Sequence, residues 1–87
     1  MGYRIEVSPR AFKDISKLPT AIQKRLKPRI DGLASDPRPA GAKKMKGEGD
    51  LWRLRVGDYR VVYEIRDQAL IVAVVRLGHR RDVYRAR

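Results

Sequence analysis

The sequence predicts an α+β fold in which two helices cover one face of a mainly antiparallel sheet, and three patterns predict it. Residues 51 to 65, LWRLRVGDYRVVYEI, alternate in side-chain type about a two-residue turn at Gly57 and Asp58. Residues 9 to 34 repeat apolar side chains at helical spacing, and residues 69 to 77 form a near-continuous apolar run. In chain order these patterns make a strand, two helices, and then a three-strand meander.

Residues 3 to 7, YRIEV, alternate apolar and polar side chains as a short strand does. Ser8 followed by Pro9 is the N-cap and first-position signature of a helix. Ala11, Phe12, Ile15 and Leu18 supply its apolar stripe, and Pro19 closes it after about two to three turns. Thr20 with Gln23 has the form of a capping box opening a second helix, along which Ile22, Leu26, Ile30 and Leu33 recur up to Ala34. Pro28 removes one backbone hydrogen bond, which predicts a bend or a short break with the stripe carried across it. Residues 35 to 50, SDPRPAGAKKMKGEGD, show no apolar period and read as a long surface loop, of the kind that is often functional. After the hairpin, a turn near Asp67 and Gln68 leads into residues 69 to 77, expected to be buried on both faces and central in the sheet, with Gly78 ending the strand. The last residues, HRRDVYRAR, read as a short basic tail with one helical turn.

At 87 residues the chain is expected to be one domain, residues 1 to 87, with a modest core. It has no cysteine, which excludes a disulfide framework and a thiolate metal site and makes a reducing cytoplasm the simplest setting. The longest apolar stretch, residues 69 to 75, is too short to cross a bilayer, and the start MGYRIEV lacks a basic, then apolar, leader, so a soluble chain is expected. A net charge of +11 makes a polyanion the first partner to consider. Nucleic acid and an acidic protein both fit; a membrane surface ranks third, because no helix has the amphipathicity of a membrane-surface segment.

If Gly57 and Asp58 form the turn, Arg55 stands opposite Arg60, and Trp52, Leu54, Val56, Tyr59, Val61 and Tyr63 share the other face. Like charges directly opposite destabilise a hairpin, by a few tenths to one kcal/mol in typical pairs. A local rule broken in this way points to a ligand. Arg53, Arg55 and Arg60 on the uncovered face would form forked, charge-assisted hydrogen bonds to phosphate oxygens. Trp52 could stack on a base, but its alternation with Leu54 and Val56 assigns it to the core, and Tyr63 with it. Gly57 supplies the positive φ of a type II′ turn. Glu48 and Asp50 lie among lysines with no His or Cys cluster beside them, so neither a metal nor any other cofactor is expected.

The segments DLWRLRVGDYRVVYEI and LIVAVVRLGHRRDVYR, with the helical hairpin and basic loop before them, closely resemble the RelE branch of the RelE/ParE toxin superfamily over nearly the whole chain. The resemblance implies a toxin of a type II toxin–antitoxin system: an endoribonuclease that cuts mRNA in the ribosomal A site without a metal and so inhibits translation. It also implies a cognate RelB-like antitoxin, held in a hetero-oligomer. Arg60 falls at the family's phosphate-binding G-x-Y-R arginine. Tyr84 matches the family's C-terminal tyrosine, read as a proton-transfer or base-stacking residue whose phenol neighbouring arginines would make more acidic. Arg80 and Arg81 both fall where the family has one transition-state arginine, and Arg80 is favoured.

Arginine stays protonated and cannot serve as the base. Some relatives carry lysines where this chain has Arg53 and Arg55, so these positions are left with phosphate binding and transition-state stabilisation. His79 alone has an unperturbed pKa near neutrality. It ranks below Tyr84 and is read as a phosphate contact or a plainly solvated side chain, and Arg81 as an RNA contact. Lys43, Lys44 and Lys46 are read as contacts to ribosomal or message RNA, with plain solubilising charge as an equal alternative. The expected catalytic set is therefore Arg55, Arg60, Arg80 and Tyr84, acting through 2′-OH attack to give a 2′,3′-cyclic phosphate. Two rivals use the same fold: a ParE-like gyrase poison without RNase activity, and a catalytically degenerate module that only binds antitoxin.

Overall fold

A computed structural model describes residues 2–47 and 49–79. The elements are β1 (Arg4–Val7), α1 (Pro9–Ser16), α2 (Thr20–Gly32), β2 (Ala42–Lys44), β3 (Leu51–Val56), β4 (Tyr59–Arg66) and β5 (Ile71–His79). The sheet runs β1-β5-β4-β3-β2, with every neighbouring pair antiparallel except β1 beside β5. The expected α+β architecture holds, and β5 lies inside the sheet as its apolar run requires. Its first paired residue is Ile71, because Ala69 and Leu70 belong to the preceding turn.

Ser8 caps α1 as expected: its hydroxyl accepts from the Ala11 N–H at 3.0 Å. The capping box on α2 does not form. Pro19 occupies the N-cap position, and the Gln23 amide instead donates to the Leu18 carbonyl at 2.8 Å. Nor does Pro28 break α2, which runs unbroken from Thr20 to Gly32 with Leu26 and Ile30 buried on either side of it. The burial of those two side chains outweighs one missing hydrogen bond. Phe12 leaves the stripe, being 68 % exposed, whereas Ala11 is fully buried. The core joins Ala11, Leu26, Ile30 and Leu33 to Leu54, Val61, Tyr63, Val72, Val74 and Leu77 of the sheet.

Part of the long loop is a strand. Gly41, at φ 92°, precedes β2, whose three residues pair with Leu54, Arg53 and Trp52 on the outer side of β3. Three residues are too short to show an alternating pattern, and two lysines on an edge strand keep other chains from adding to it. The rest of the loop is tied down by side chains. Tyr63 donates its buried hydroxyl to the Pro37 carbonyl at 2.8 Å. Arg38 pairs with Asp67 at 2.8 Å and lies 5.3 Å over the Trp52 ring, while Tyr3 donates to Asp67 at 2.6 Å. The Arg38 guanidinium, with the Tyr3 hydroxyl, holds the Asp67 carboxyl below its usual range. Trp52 therefore lies on the predicted face but is only half-buried, under a cation rather than a helix.

Gly78 does not end β5, which continues to His79 because β4 offers Arg60 and Tyr59 as partners. Between Val62 and Tyr63 of β4 the facing residue jumps from Arg76 to Val74, so Val75 is an extra residue in β5, a β-bulge. α1 satisfies the backbone there. The Ser8 hydroxyl donates to the Val75 carbonyl at 3.3 Å, and the Asp14 carboxylate accepts from the Leu77 N–H at 3.0 Å.

Candidate phosphate-binding face

The hairpin register is the predicted one: Trp52 faces Tyr63, Arg53 faces Val62, Leu54 faces Val61, Arg55 faces Arg60 and Val56 faces Tyr59. Gly57 takes φ 61°, and Asp58 is not among the positive-φ residues, as a type II′ turn demands. Arg55 and Arg60 are therefore fixed side by side on the face away from the helices. Arg55 is exposed, with its Nε donating to the Gly57 carbonyl at 3.3 Å. Arg60 is half-buried, and its Nε is out of reach of solvent.

Strand pairing lays these residues in rows across the sheet. The row nearest the turn is Arg55, Arg60 and Gly78; the next is Lys43, Arg53, Val62 and Arg76. Five cations thus share one half of the face. The carboxylates of that face, Glu64 and Glu6, stand in the row beyond, and each is paired with its own arginine, Arg66 at 2.8 Å and Arg4 at 3.0 Å. The half nearest the turn is left strongly positive. Arg76 is the member that sequence reasoning missed. The bulge at Val75 reverses the alternation after it, so Arg76 turns to the arginine face and Leu77 to the core. Asp14, itself 13 % exposed, fixes the Arg76 guanidinium at 3.0 Å.

The same bulge takes His79 to the opposite face. Its ring sits edge-on to Tyr59 with centroids 5.8 Å apart. The lysines are divided as well. Lys43 pairs with Arg53 on the arginine face, whereas Lys44 pairs with Trp52 on the other side and lines a concavity with Arg38, Asp50 and Arg66; Lys46 is exposed in the following turn. Arg80, Arg81 and Tyr84 lie outside the described residues. Among the described residues, no three His, Cys, Asp or Glu side chains converge as a metal ligand set. Guanidinium pairs at fixed spacing can hold a phosphate by parallel hydrogen bonds and stabilise charge that grows on it, but they cannot accept a proton.

The description "ParE toxin of type II toxin–antitoxin system, parDE" matches residues 5–84. The chain is 32 % identical to the mRNA interferase toxin RelE of Escherichia coli strain K12, over 97 % of this chain and 92 % of that one. The chain belongs to the RelE branch of the RelE/ParE toxin family. Solved RelE-type structures share its fold. The RelE–RelB complex of Pyrococcus horikoshii OT3 aligns at a TM-score of 0.80 with 32 % identity, covering 92 % of this chain and 97 % of that one. The RelBE2 toxin–antitoxin complex of Mycobacterium tuberculosis aligns at 0.82 with 27 % identity, covering 91 % and 99 %. The arginine-on-arginine hairpin of this RelE-type chain therefore sits in a fold shared with toxins solved in complex with antitoxins.

Proposed function

We propose that this RelE-type toxin acts as a single cytoplasmic domain that cleaves mRNA in the ribosomal A site, without a metal, and is neutralised by a RelB-like antitoxin. The observation that carries the reading is the Arg55–Arg60 cross-strand pair, with Arg53, Lys43 and Arg76 in the adjoining row. The name of the E. coli relative, an mRNA interferase, supports the substrate, and the RelE–RelB complexes support the partner.

In this mechanism the message's 2′-oxygen attacks the adjacent phosphorus, the bond to the 5′-oxygen breaks, and a 2′,3′-cyclic phosphate remains. One proton leaves the 2′-hydroxyl and one reaches the departing 5′-oxygen. Arg55 and Arg60 clamp the scissile phosphate, Arg80 stabilises the growing charge, and Tyr84 assists proton transfer or holds a base. The ribosome supplies much of the substrate positioning. Lys43, Arg53 and Arg81 contact the RNA backbone, while Lys44 and His79 reach RNA only outside the arginine face and Lys46 reaches it from the turn after β2. The test is cleavage of message on programmed ribosomes, with the new ends identified chemically. The wild type should cut with cyclic phosphate ends, and an Arg60→Ala, Tyr84→Phe double variant should not. Equal cleavage by the two proteins, or intact message with gyrase-dependent DNA breaks, refutes the reading.

A further inference from the structure

β1 accompanies β5 only as far as Val74; beyond it the Ser8 hydroxyl and the Asp14 carboxylate meet the backbone of Val75 and Leu77. The extra residue in β5 turns Arg76 onto the arginine face, where its Nε donates to Asp14 at 3.0 Å, with both side chains largely withdrawn from solvent. Asp14 has other partners for its charge. It accepts from the Leu77 N–H at 3.0 Å and lies 3.7 Å from Arg10, one turn earlier on α1. The pair is therefore better explained as Asp14 fixing the position of Arg76 than as Arg76 neutralising Asp14. Pinning a long side chain in advance lowers the entropy it loses on meeting a ligand.

The register sets how far Arg76 stands from the clamp. Arg60 faces Gly78, and Arg76 precedes Gly78 by two residues, which makes Arg76 the diagonal neighbour of Arg60, about 7 to 8 Å away. The two rows of the face are about 7 Å apart, twice the rise of a strand residue. Consecutive phosphates along an RNA strand have a similar spacing. A phosphate held between Arg55 and Arg60 thus leaves its neighbour over the row that contains Arg76. We propose that Arg76 binds the backbone phosphate next to the scissile one, so that the arginine face grips two successive phosphates of the message. The inference rests on the endonuclease reading above and adds a substrate-binding residue that β5, not the β3–β4 hairpin, supplies. A guanidinium offers the forked donors that suit a phosphate, and Asp14 fixes this one through Nε. Because the contact lies one nucleotide away from the reacting atoms, it holds the substrate alike before and during the reaction. It governs binding rather than the rate of the chemical step.

The experiment is single-turnover cleavage on programmed ribosomes at varied toxin concentration. It compares the natural message with two synthetic ones that carry a single uncharged methylphosphonate linkage, immediately 5′ or immediately 3′ of the scissile phosphate. Arg76→Met should raise the half-saturating toxin concentration by about fivefold or more and leave the saturating rate within about threefold of wild type. One of the two methylphosphonate messages should weaken the wild type by a similar factor, and on that message Arg76→Met should add no more than about twofold. Arg76→Lys, which keeps a cation beside Asp14 but not the fork, should show the same pattern at a smaller factor, and it serves the comparison should Arg76→Met fold poorly. Wild-type half-saturation that neither neutral linkage shifts overturns the inference without recourse to any variant. So do fully additive effects at both linkages, and so does a loss confined to the saturating rate, which moves Arg76 to the scissile phosphate. An Arg76→Met protein that cleaves like wild type overturns it too. Wild-type protein that leaves natural message intact defeats the endonuclease reading, and the inference with it.

Discussion

Replacing Arg55 by Met separates a phosphate clamp from a structural arginine, because the two readings predict opposite balances of stability and activity. Methionine keeps an unbranched stem of comparable reach and removes only the charge and its donors. Two terms then act on stability. The facing Arg60 is relieved of a like charge, a gain of roughly 0.2 to 1 kcal/mol for a directly opposed pair. The exposed hydrogen bond from Arg55 Nε to the Gly57 carbonyl, at 3.3 Å, is lost at the low end of the usual range, about 0.5 kcal/mol. The terms nearly cancel, so the melting temperature should move by no more than about 4 °C in either direction for a domain of this size. Cleavage should fall far more. Loss of one preorganised donor to a developing oxyanion costs about 10²- to 10³-fold in rate, and the smaller figure applies here because Arg60 remains in the same row. Thermal melts of the purified variant and single-turnover cleavage on programmed ribosomes measure the two quantities. A variant that cleaves within a few fold of wild type, or that melts more than 8 °C lower, refutes the clamp.

Asp14→Ala removes the acceptor that holds both the Leu77 N–H and the Arg76 guanidinium at 3.0 Å. Loss of two charge-assisted bonds at a site 13 to 21 % exposed should destabilise by about 2 to 3 kcal/mol, seen as a melting temperature lower by roughly 10 to 20 °C. A fall of only two or three degrees would show that α1 does not brace the bulge. Tyr63→Phe tests the alkaline limb. Burial pushes the Tyr63 phenol up to about 12, whereas in the unfolded chain it ionises near 10. The folded state therefore keeps a proton that the unfolded state gives up. This contribution, roughly 3 kcal/mol, is complete below pH 10 and is lost as pH rises through 12. Denaturant titrations from pH 9 to 11.5 should show a decline in wild type that is shallower in Tyr63→Phe; parallel slopes would contradict it.

Local patterns read correctly because they depend on neighbours in the chain. A side-chain period of two, with a glycine able to take φ 61°, fixes every pair of the β3–β4 hairpin, including Arg55 against Arg60. Ser8 before Pro9 likewise fixes the start of α1. Phe12 fits the helical period as well as Ala11 does, yet its burial depends on whether another element covers it, and none of the described ones does so fully.

The composition of the arginine face beyond that hairpin was decided in three dimensions. Nothing local in LIVAVVRLGH marks Val75 as an extra residue; the bulge exists because Val74 pairs with Tyr63 on one side and Val7 on the other, while Ser8 and Asp14 of α1 take the backbone groups it frees. That single residue reverses the alternation, bringing Arg76 onto the basic face and turning His79 away from it. β2 divides Lys43 from Lys44 by the same geometry, since adjacent residues of any strand point to opposite faces. The sequence by itself determined the fold class and the arginine pair, whose causes are short-range. Only long-range strand pairing decided which further cations stand beside that pair, because the face a side chain occupies depends on the partner its backbone meets.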